Sequence, residues 1–407
     1  MNSTIIAVSQ DVKENKLSEE HLKALEVFSG KAAGICYMKD DYFDSYVSDP
    51  EKAEKRFENV APTGHHSIGD HSFVSVLFEG IPKMTAMILN NFGFYNTSEK
   101  SGRYTVMSVP EDYKLIYSDN FKLYDKWTKI FDTAISEYDS GIDEKHRKKL
   151  ALENARYVLS VFAPSTVMAY TTSLRMWSYI RTECERYIKQ NDNFIDDTKF
   201  NKALLSCIKD LYNRLTEMHL YSDSILENKG REITFLAKQT SFNIWEAEES
   251  YTDSYIIKYK SSFAGLAQEQ RHRTLQYFMC FDGSDSLKFY VPKIIRDTYY
   301  EKEWLDDLRS VDDTFPIATL VDVVETGLIT DFLYKCDERL CGRVQLETMD
   351  NVRINILKFA RSWHKSPFFT QQIQKHFRDG KVIMKCGNIK CQEPCYWGPI
   401  KAQERLI

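Results

Sequence analysis

"HSFVSVLFEGI", residues 71–81, places Phe73, Ser75, Leu77 and Glu79 on one face and Ser72, Val74, Val76 and Phe78 on the other. A period of two reads as a strand. Gly80-Ile81-Pro82 ends it, a helical pattern carrying Met84, Met87, Ile88 and Leu89 follows, and Asn90-Asn91 opens a loop. The same order of strand, turn, helix and loop recurs in "DSYIIKYKSSFAGLAQEQRHR", residues 253–273, again followed by a polar region and then helices. A plan repeated at this separation predicts an α+β chain built from two tandem copies. Two unrelated α+β halves are the other reading that the pattern leaves open.

Working outward, "YDKWTKIFDTAISEY" (124–138) carries Trp127, Ile130, Phe131 and Ala134 at the spacing of one buried helical stripe. Residues 150–187 and 200–225 also read as helical stretches. The polar run "ENKGREI" (227–233) is the most linker-like segment and sets the expected boundary, with one copy over 1–226 and the other over 234–407. Each half has an arginine near the end of its longest helix, Arg181 in "YIRTECERY" and Arg339 in "CDERLCGRVQLE".

The chain has 407 residues, 43% of them apolar and 13% aromatic, enough for one large core or two to three smaller ones. A net charge of −5 and the absence of a long basic tract argue against a broad nucleic-acid-binding face, while small anions remain compatible. No apolar run approaches a membrane span, and the opening Met1-Asn2-Ser3-Thr4 lacks the regions of a signal peptide, so a cytoplasmic protein is expected. Nine scattered cysteines suit a reducing compartment. Cys386, Cys391 and Cys395 have C-x4-C-x3-C spacing, one ligand short of a zinc ribbon that Cys336, Cys341 or His376 would complete; reduced structural thiols are the other reading.

Several motifs resemble those of the flavin-dependent thymidylate synthases. "GHHSIGDHSFVSVLFEGI" (64–81) is similar to that family's Gly-His-x-Ser-x-x-Glu-His stretch, with Asp70 in place of the usual glutamate. "TSEKSGRY" (97–104) resembles the second half of its signature Arg-His-Arg-x-x-Ser-x-Asn-Glu-x-Ser-x-Arg. Asn91-Phe92-Gly93 stand where the first half should be. Residues 268–273 carry the complement, Gln268, Arg271, His272 and Arg273, without the Glu-x-Ser-x-Arg. "KAAGICY" (31–37) resembles the early Ala-Ala-Arg segment, residues 153–181 the Ala-Arg-x-x-Leu-Pro run and its helix, and Gln345 and Glu347 the Ala-Gln-x-Glu of the last helix.

The resemblance implies two tandem thymidylate synthase-like domains, each a mostly antiparallel sheet with packed long helices, and a signature divided between them. It also implies a homodimer that mimics the family's tetramer, with no membrane or nucleic-acid partner. The implied reaction is FAD-dependent reductive methylation of dUMP, with methylenetetrahydrofolate as one-carbon donor and NADPH as reductant. The flavin carries the chemistry, so no side chain is expected to be catalytic in its own right. A related pyrimidine C5 modification, or a non-catalytic nucleotide- or flavin-binding paralogue, are the alternatives.

On this reading Arg103, Arg156 and Arg181, with Arg271, contribute guanidinium groups to the nucleotide, because a planar fork grips phosphate through two charge-assisted hydrogen bonds. Glu99 faces the uracil or ribose edge, and Gln268 joins the substrate set. Ser101 and Gly102 form a turn in which a φ > 0 glycine would let backbone N–H groups converge on an oxygen. His65, Ser67 and Asp70 correspond to the flavin loop, joined by Arg271, His272 and Arg273. His272 is expected to be neutral because like charges flank it. His65, His66 and His71 lack the recurrent partners that a metal site needs.

Overall fold

The computed structural model describes residues 13–35, 49–63, 65–191, 198–226, 254–281, 286–362, 373–388 and 395–407; the linker-like segment 227–233 lies outside these. In chain order the main elements are α1 (Glu19–Gly34), α2 (Pro50–Val60), β1 (Phe73–Ile81), α3 (Lys83–Leu89), β2 (Tyr95–Glu99), α4 (Ser118–Tyr138) and α5 (Glu144–Ala155). They continue with β3 (Thr166–Ser173), α6 (Leu174–Asn191), α7 (Lys199–Glu217), β4 (Ser254–Ser262), α8 (Phe263–Glu269) and β5 (Gln276–Cys280). Last come α9 (Tyr299–Ser310), β6 (Leu320–Leu328), α10 (Ile329–Arg339) and α11 (Leu346–Ser362). The protein is α+β.

The expected strand at 71–81 begins at Phe73, because His66–His71 form a 3-10 turn. Its alternation holds: Phe73, Ser75 and Leu77 are exposed while Val76 and Phe78 are buried. Gly80, at φ +62°, takes the left-handed conformation that ends the strand at little steric cost. In α4 the buried stripe is Tyr124, Trp127, Phe131 and Ile135, with Ile130 and Ala134 at its edge.

The helical reading of 150–187 is corrected. Pro164 stands between α5 and the β-branched run Thr166-Val167, and Thr171-Thr172 follow, so residues 166–173 form strand β3 between α5 and α6. Tertiary pairing won over a pattern that had looked continuous.

The two sheets share one plan. The first has the order β1-β3-β2 and the second β4-β6-β5. In each, the last of its three strands in chain order lies in the middle, and a seven-residue helix joins the first two. The second sheet is antiparallel throughout, with Ser254 opposite Leu328 on one side of β6 and Gln276 opposite Thr326 on the other.

Compact packing does not follow sequence order. Among the described residues, one unit comprises 13–35, 49–63, 65–76, 171–191 and 208–226, and the other 77–170, 198–207, 254–281, 286–362, 373–388 and 395–407. In the larger unit a single core draws on α4 and α9 together: the rings of Trp127 and Trp304 meet edge to face at 4.7 Å, and Phe131 lies 5.6 Å from Trp304. Phe200 stacks on Phe263 and meets Phe315 edge to face. Ring contacts of this kind add about 0.5–1.5 kcal/mol beyond area burial. In the smaller unit Trp177 donates to the Val74 carbonyl at 3.2 Å, and the Ser29 and Ser72 hydroxyls bond at 2.9 Å.

Candidate functional site

Within the larger unit, the end of β2 meets the loop that follows α8. Arg271 donates to Glu99 Oε2 at 3.0 Å, although 172 residues separate them, and Lys83 at the start of α3 bonds the other carboxylate oxygen. The Glu99 side chain is only 3% exposed. Burial by itself would push this carboxyl up, but Lys83 and Arg271 reverse that and hold it below the ordinary carboxylate value. Next to this pair, Arg273 donates to Asn96 at 2.5 Å and lies 5.2 Å over the ring of Tyr95. The Tyr95 hydroxyl lies 2.9 Å from the Asn90 carbonyl and 3.2 Å from that of Gln270 and shares its one proton between them, so it also ties the two loops together.

A second junction lies at the 3-10 turn Arg156–Val158. Arg156 Nη2 donates to Gln345 Oε1 at 2.6 Å, Gln345 bonds the Tyr157 hydroxyl, and that hydroxyl donates to Glu347 Oε2 at 2.6 Å. Ser262, the N-cap of α8, gives Glu347 both its backbone N–H and its hydroxyl at 2.7 Å. Burial raises the Glu347 carboxyl, and the Tyr157 and Ser262 donors offset part of that rise. Each of these buried polar groups therefore has a partner, as a dry site requires, while Arg156 Nε has none among the described residues.

Arg103 pairs with Glu153 at 2.6 Å and donates to the Arg343 carbonyl at 2.8 Å. Ser101 shapes the turn by accepting from the backbone N–H groups of Tyr104 and Thr105. Gly102 corrects one expectation. It does not have a positive φ; a Cβ there would sit 3.3 Å from Arg156 Cδ and Met107 Sδ, so the glycine answers to space rather than to a left-handed turn.

His272 is buried and its Nε2 accepts from Arg339 Nε at 2.7 Å, which leaves the ring neutral with its proton on Nδ1. Its pKa is brought down to about 2, first by burial and then by Arg339 and Lys335. The expected neutrality stands, but Arg271 and Arg273 are not its cause. Beneath this loop lies a buried cluster that sequence reasoning missed. Lys335 bonds Glu325 at 2.6 Å and Glu269 at 3.0 Å, the Tyr259 hydroxyl shares its one proton between the two carboxylates, and Asn351 donates to Glu269 at 3.1 Å. Burial would lower the Lys335 ammonium, and the two carboxylates more than reverse it. Glu269 ends α8 two residues ahead of Arg271, so the cluster fixes the base of the Arg271–Arg273 loop. Gln268 is half-buried there, and its carbonyl accepts weakly from Arg339 at 3.4 Å.

The smaller unit holds the remaining candidates. His65 and Ser67 are exposed on the 3-10 turn, while Asp70 accepts from Ser173 and pairs with Arg175, both at 2.7 Å. Arg175 was not singled out in the sequence. His66 Nδ1 meets the Tyr179 hydroxyl at 3.0 Å, and its buried Nε2 has no partner among the described residues. Arg181 lies between the rings of Tyr212 and Tyr221, at 4.9 and 4.6 Å, and donates to the Tyr212 hydroxyl at 3.0 Å.

Cys391 lies outside the described residues. Cys386 and Cys395 are half-buried, and among the described residues no group of three or more His, Cys, Asp or Glu side chains is placed to hold a metal ion. No described helix is long and apolar enough to cross a membrane.

The sequence model of the thymidylate synthase complementing protein matches residues 20–220. Residues 20–220 belong to the thymidylate synthase complementing protein family. Flavin-dependent thymidylate synthesis is the activity that this family implies in general. The matched thymidylate synthase complementing region carries Glu99, Arg103 and Arg156; Arg271, Gln345 and Glu347 lie beyond it. No curated protein matches the chain.

Proposed function

We propose that the protein catalyses FAD-dependent reductive methylation of dUMP to dTMP, taking the one-carbon unit from methylenetetrahydrofolate and reducing equivalents from NADPH. The observation that supports this reading best is the Arg271–Glu99 ion pair. It brings the Arg-His-Arg half of the signature against the Glu-x-Ser-x-Arg half, although each sits in a different part of the chain. Such a contact is what a divided signature needs if it is to serve one site. We further read the chain as two copies, 1–226 and 234–407, working in the cytoplasm as a homodimer that mimics a tetramer. The repeated β-β-β order with its seven-residue helices supports that duplication.

The residues present fit a flavin nucleotide. Arg271 and Arg273 keep 30% and more of their side chains open for a pyrophosphate, and His65 and Ser67 are exposed polar groups on one short turn. Asp70 and His272 act behind them, orienting Arg175 and accepting from Arg339. FAD, when bound, supplies the redox chemistry that converts the one-carbon unit into a methyl group. Arg103, Arg156, Ser101 and Gly102 are assigned to the nucleotide, and Arg181 to its phosphate. A second reading, a nucleotide- or flavin-binding paralogue without turnover, is favoured by one feature: Glu99, Arg103 and Arg156 already have protein partners.

The visible spectrum of the purified protein, supplied with FAD and then titrated with dUMP, tests the proposal. We expect flavin bands at no more than one FAD per chain and a change in those bands on adding dUMP. Absence of retained flavin would overturn the assignment, and two FAD per chain would sink the division of one signature between two copies. Turnover with all three cosubstrates separates the enzyme from the silent paralogue.

A further inference from the structure

Within the larger unit, apart from the Glu99–Arg271 contact, lies a cleft of about 310 Å³ between α5 and residues 395–405. Neither Glu99, Arg156 nor Arg271 lines it. Its charged walls hold five cations, Arg103, Lys145, Lys149, Arg343 and Arg405, against two carboxylates. Both carboxylates are engaged: Glu153 by Arg103, and Asp143 by the backbone N–H of His146, which it caps. In a chain of net charge −5, this local excess of positive charge is out of keeping with the rest of the molecule.

Three of the cations have no carboxylate partner among the described residues. Lys145 is exposed, and Lys149 lies 5.4 Å over the ring of Tyr104. Arg405 is the telling one. It is 4% exposed and lies 5.5 Å over the Trp397 ring; among the described residues its guanidinium donates only to the carbonyls of Gly342 and Val344 and weakly to Met349 sulfur, and its buried Nε has no hydrogen-bond partner. A buried guanidinium without a counter-charge costs stability unless something supplies one. Burial also drags its pKa down, and the carboxylate that opposes this most, Glu153, already serves Arg103. The aromatic side chains of Tyr104, Tyr396 and Trp397 complete the walls, so the cleft joins apolar surface to converging cations.

We propose that this cleft binds a small phosphorylated ligand, whose phosphate is received by Lys145, Lys149 and Arg405. A phosphate monoester carries nearly two charges and several acceptor oxygens, which matches three cations drawn from α5 and the 395–405 segment better than a single carboxylate does. The volume is at the small end for ligand pockets, which suits a compact metabolite rather than a polymer. The cleft adjoins the dUMP assignment at Arg103, which lines one wall, but none of the three residues that receive the phosphate belongs to that assignment.

Isothermal titration of the full chain with inorganic pyrophosphate tests the proposal, using wild type, the double variant Lys145→Ala/Lys149→Ala, and Arg271→Ala. We expect saturable binding to wild type, a loss of about tenfold or more in the double lysine variant, and affinity within about twofold of wild type in Arg271→Ala. Succinate, a dianion of other chemistry, should bind at least about tenfold more weakly than pyrophosphate. Both lysines are surface groups on a helix, so the variant should keep its thermal midpoint. Wild-type affinity in the lysine variant, loss in Arg271→Ala instead, equal binding of succinate, or no saturable binding at all would each overturn the proposal.

Discussion

The loop after α3 and the loop after α8 occupy the same place in two sheets of the same strand order, yet they are built from opposite chemistry. After α3 the chain reads Asn91-Phe92-Gly93; after α8 it reads Arg271-His272-Arg273. What lies beneath them differs in the same sense. Tyr170, three residues before the end of β3, stacks on Tyr95 at 5.1 Å, whereas Glu325, three residues before the end of β6, belongs to the buried Lys335 cluster. A neutral loop is satisfied by an aromatic floor. A loop carrying two arginines is held by an ion cluster that ties down Glu269 at its base. Repetition of topology has preserved the backbone plan while the charge has moved to one side, and the ion pair from Arg271 to Glu99 joins the two sides again.

The largest expected effect tests the floor of the charged loop. Lys335→Met should leave two buried carboxylates facing each other and destabilise the fold by about 3–5 kcal/mol in urea unfolding. Tyr170→Phe, which removes only the hydroxyl that donates to the Leu89 carbonyl, should cost about 1 kcal/mol. Equal losses would erase the contrast between the two floors.

Glu99→Ala comes next. It strands Lys83 and Arg271 together, and a cost of about 2–4 kcal/mol is expected, with flavin retention impaired. Glu99→Gln separates charge from packing. The Glu99 carboxyl is held below its unfolded value, so its stabilising contribution is fully present above about pH 4.3 and is lost as pH falls through the lower folded value. In Glu99→Gln that part of the acid dependence should disappear; an unchanged acid limb would mean that the pairing is not felt in stability.

His272 adds a smaller effect in a different pH window. The unfolded chain gains a proton on this ring near pH 6.5, while the folded chain resists protonation down to about 2. Stability should therefore fall with acidification below about pH 6.5, by about 1.4 kcal/mol per pH unit from this residue. His272→Gln, whose carbonyl can still accept from Arg339, should flatten that slope between about pH 6.5 and 5. The same slope in both proteins would show that the ring is not held neutral.

The smallest effect is Arg273→Ala. Its exposed side chain meets Asn96 and the Tyr95 ring, so a stability change of about 0.5 kcal/mol or less is expected. A larger change, or unaltered FAD retention, would remove Arg273 from the flavin assignment.

Alternation at 71–81, the amphipathic stripe of α4 and the second strand-helix pattern at 253–273 were all legible in the sequence, because a period of two or 3.6 is local and survives without knowledge of neighbours. The motif halves were legible for the same reason: each is a short run of residue types. What no local pattern carries is pairing. The divided motif put Arg271 and Glu99 in one set without showing that they touch, and nothing in the sequence marks Lys335, Glu269 and Glu325 as a group until β4, β6 and α10 bury them together. The strand at 166–173 was lost within an apparent helix because pairing with β1 and β2, rather than propensity alone, decides its backbone. Gly102 looked like a turn glycine, and only the approach of Arg156 and Met107 revealed that its role is to be small. Sequence by itself determined the elements and the chemistry each could offer; tertiary structure decided which charges meet, since burial sets the strength of those meetings and is a property of the whole fold.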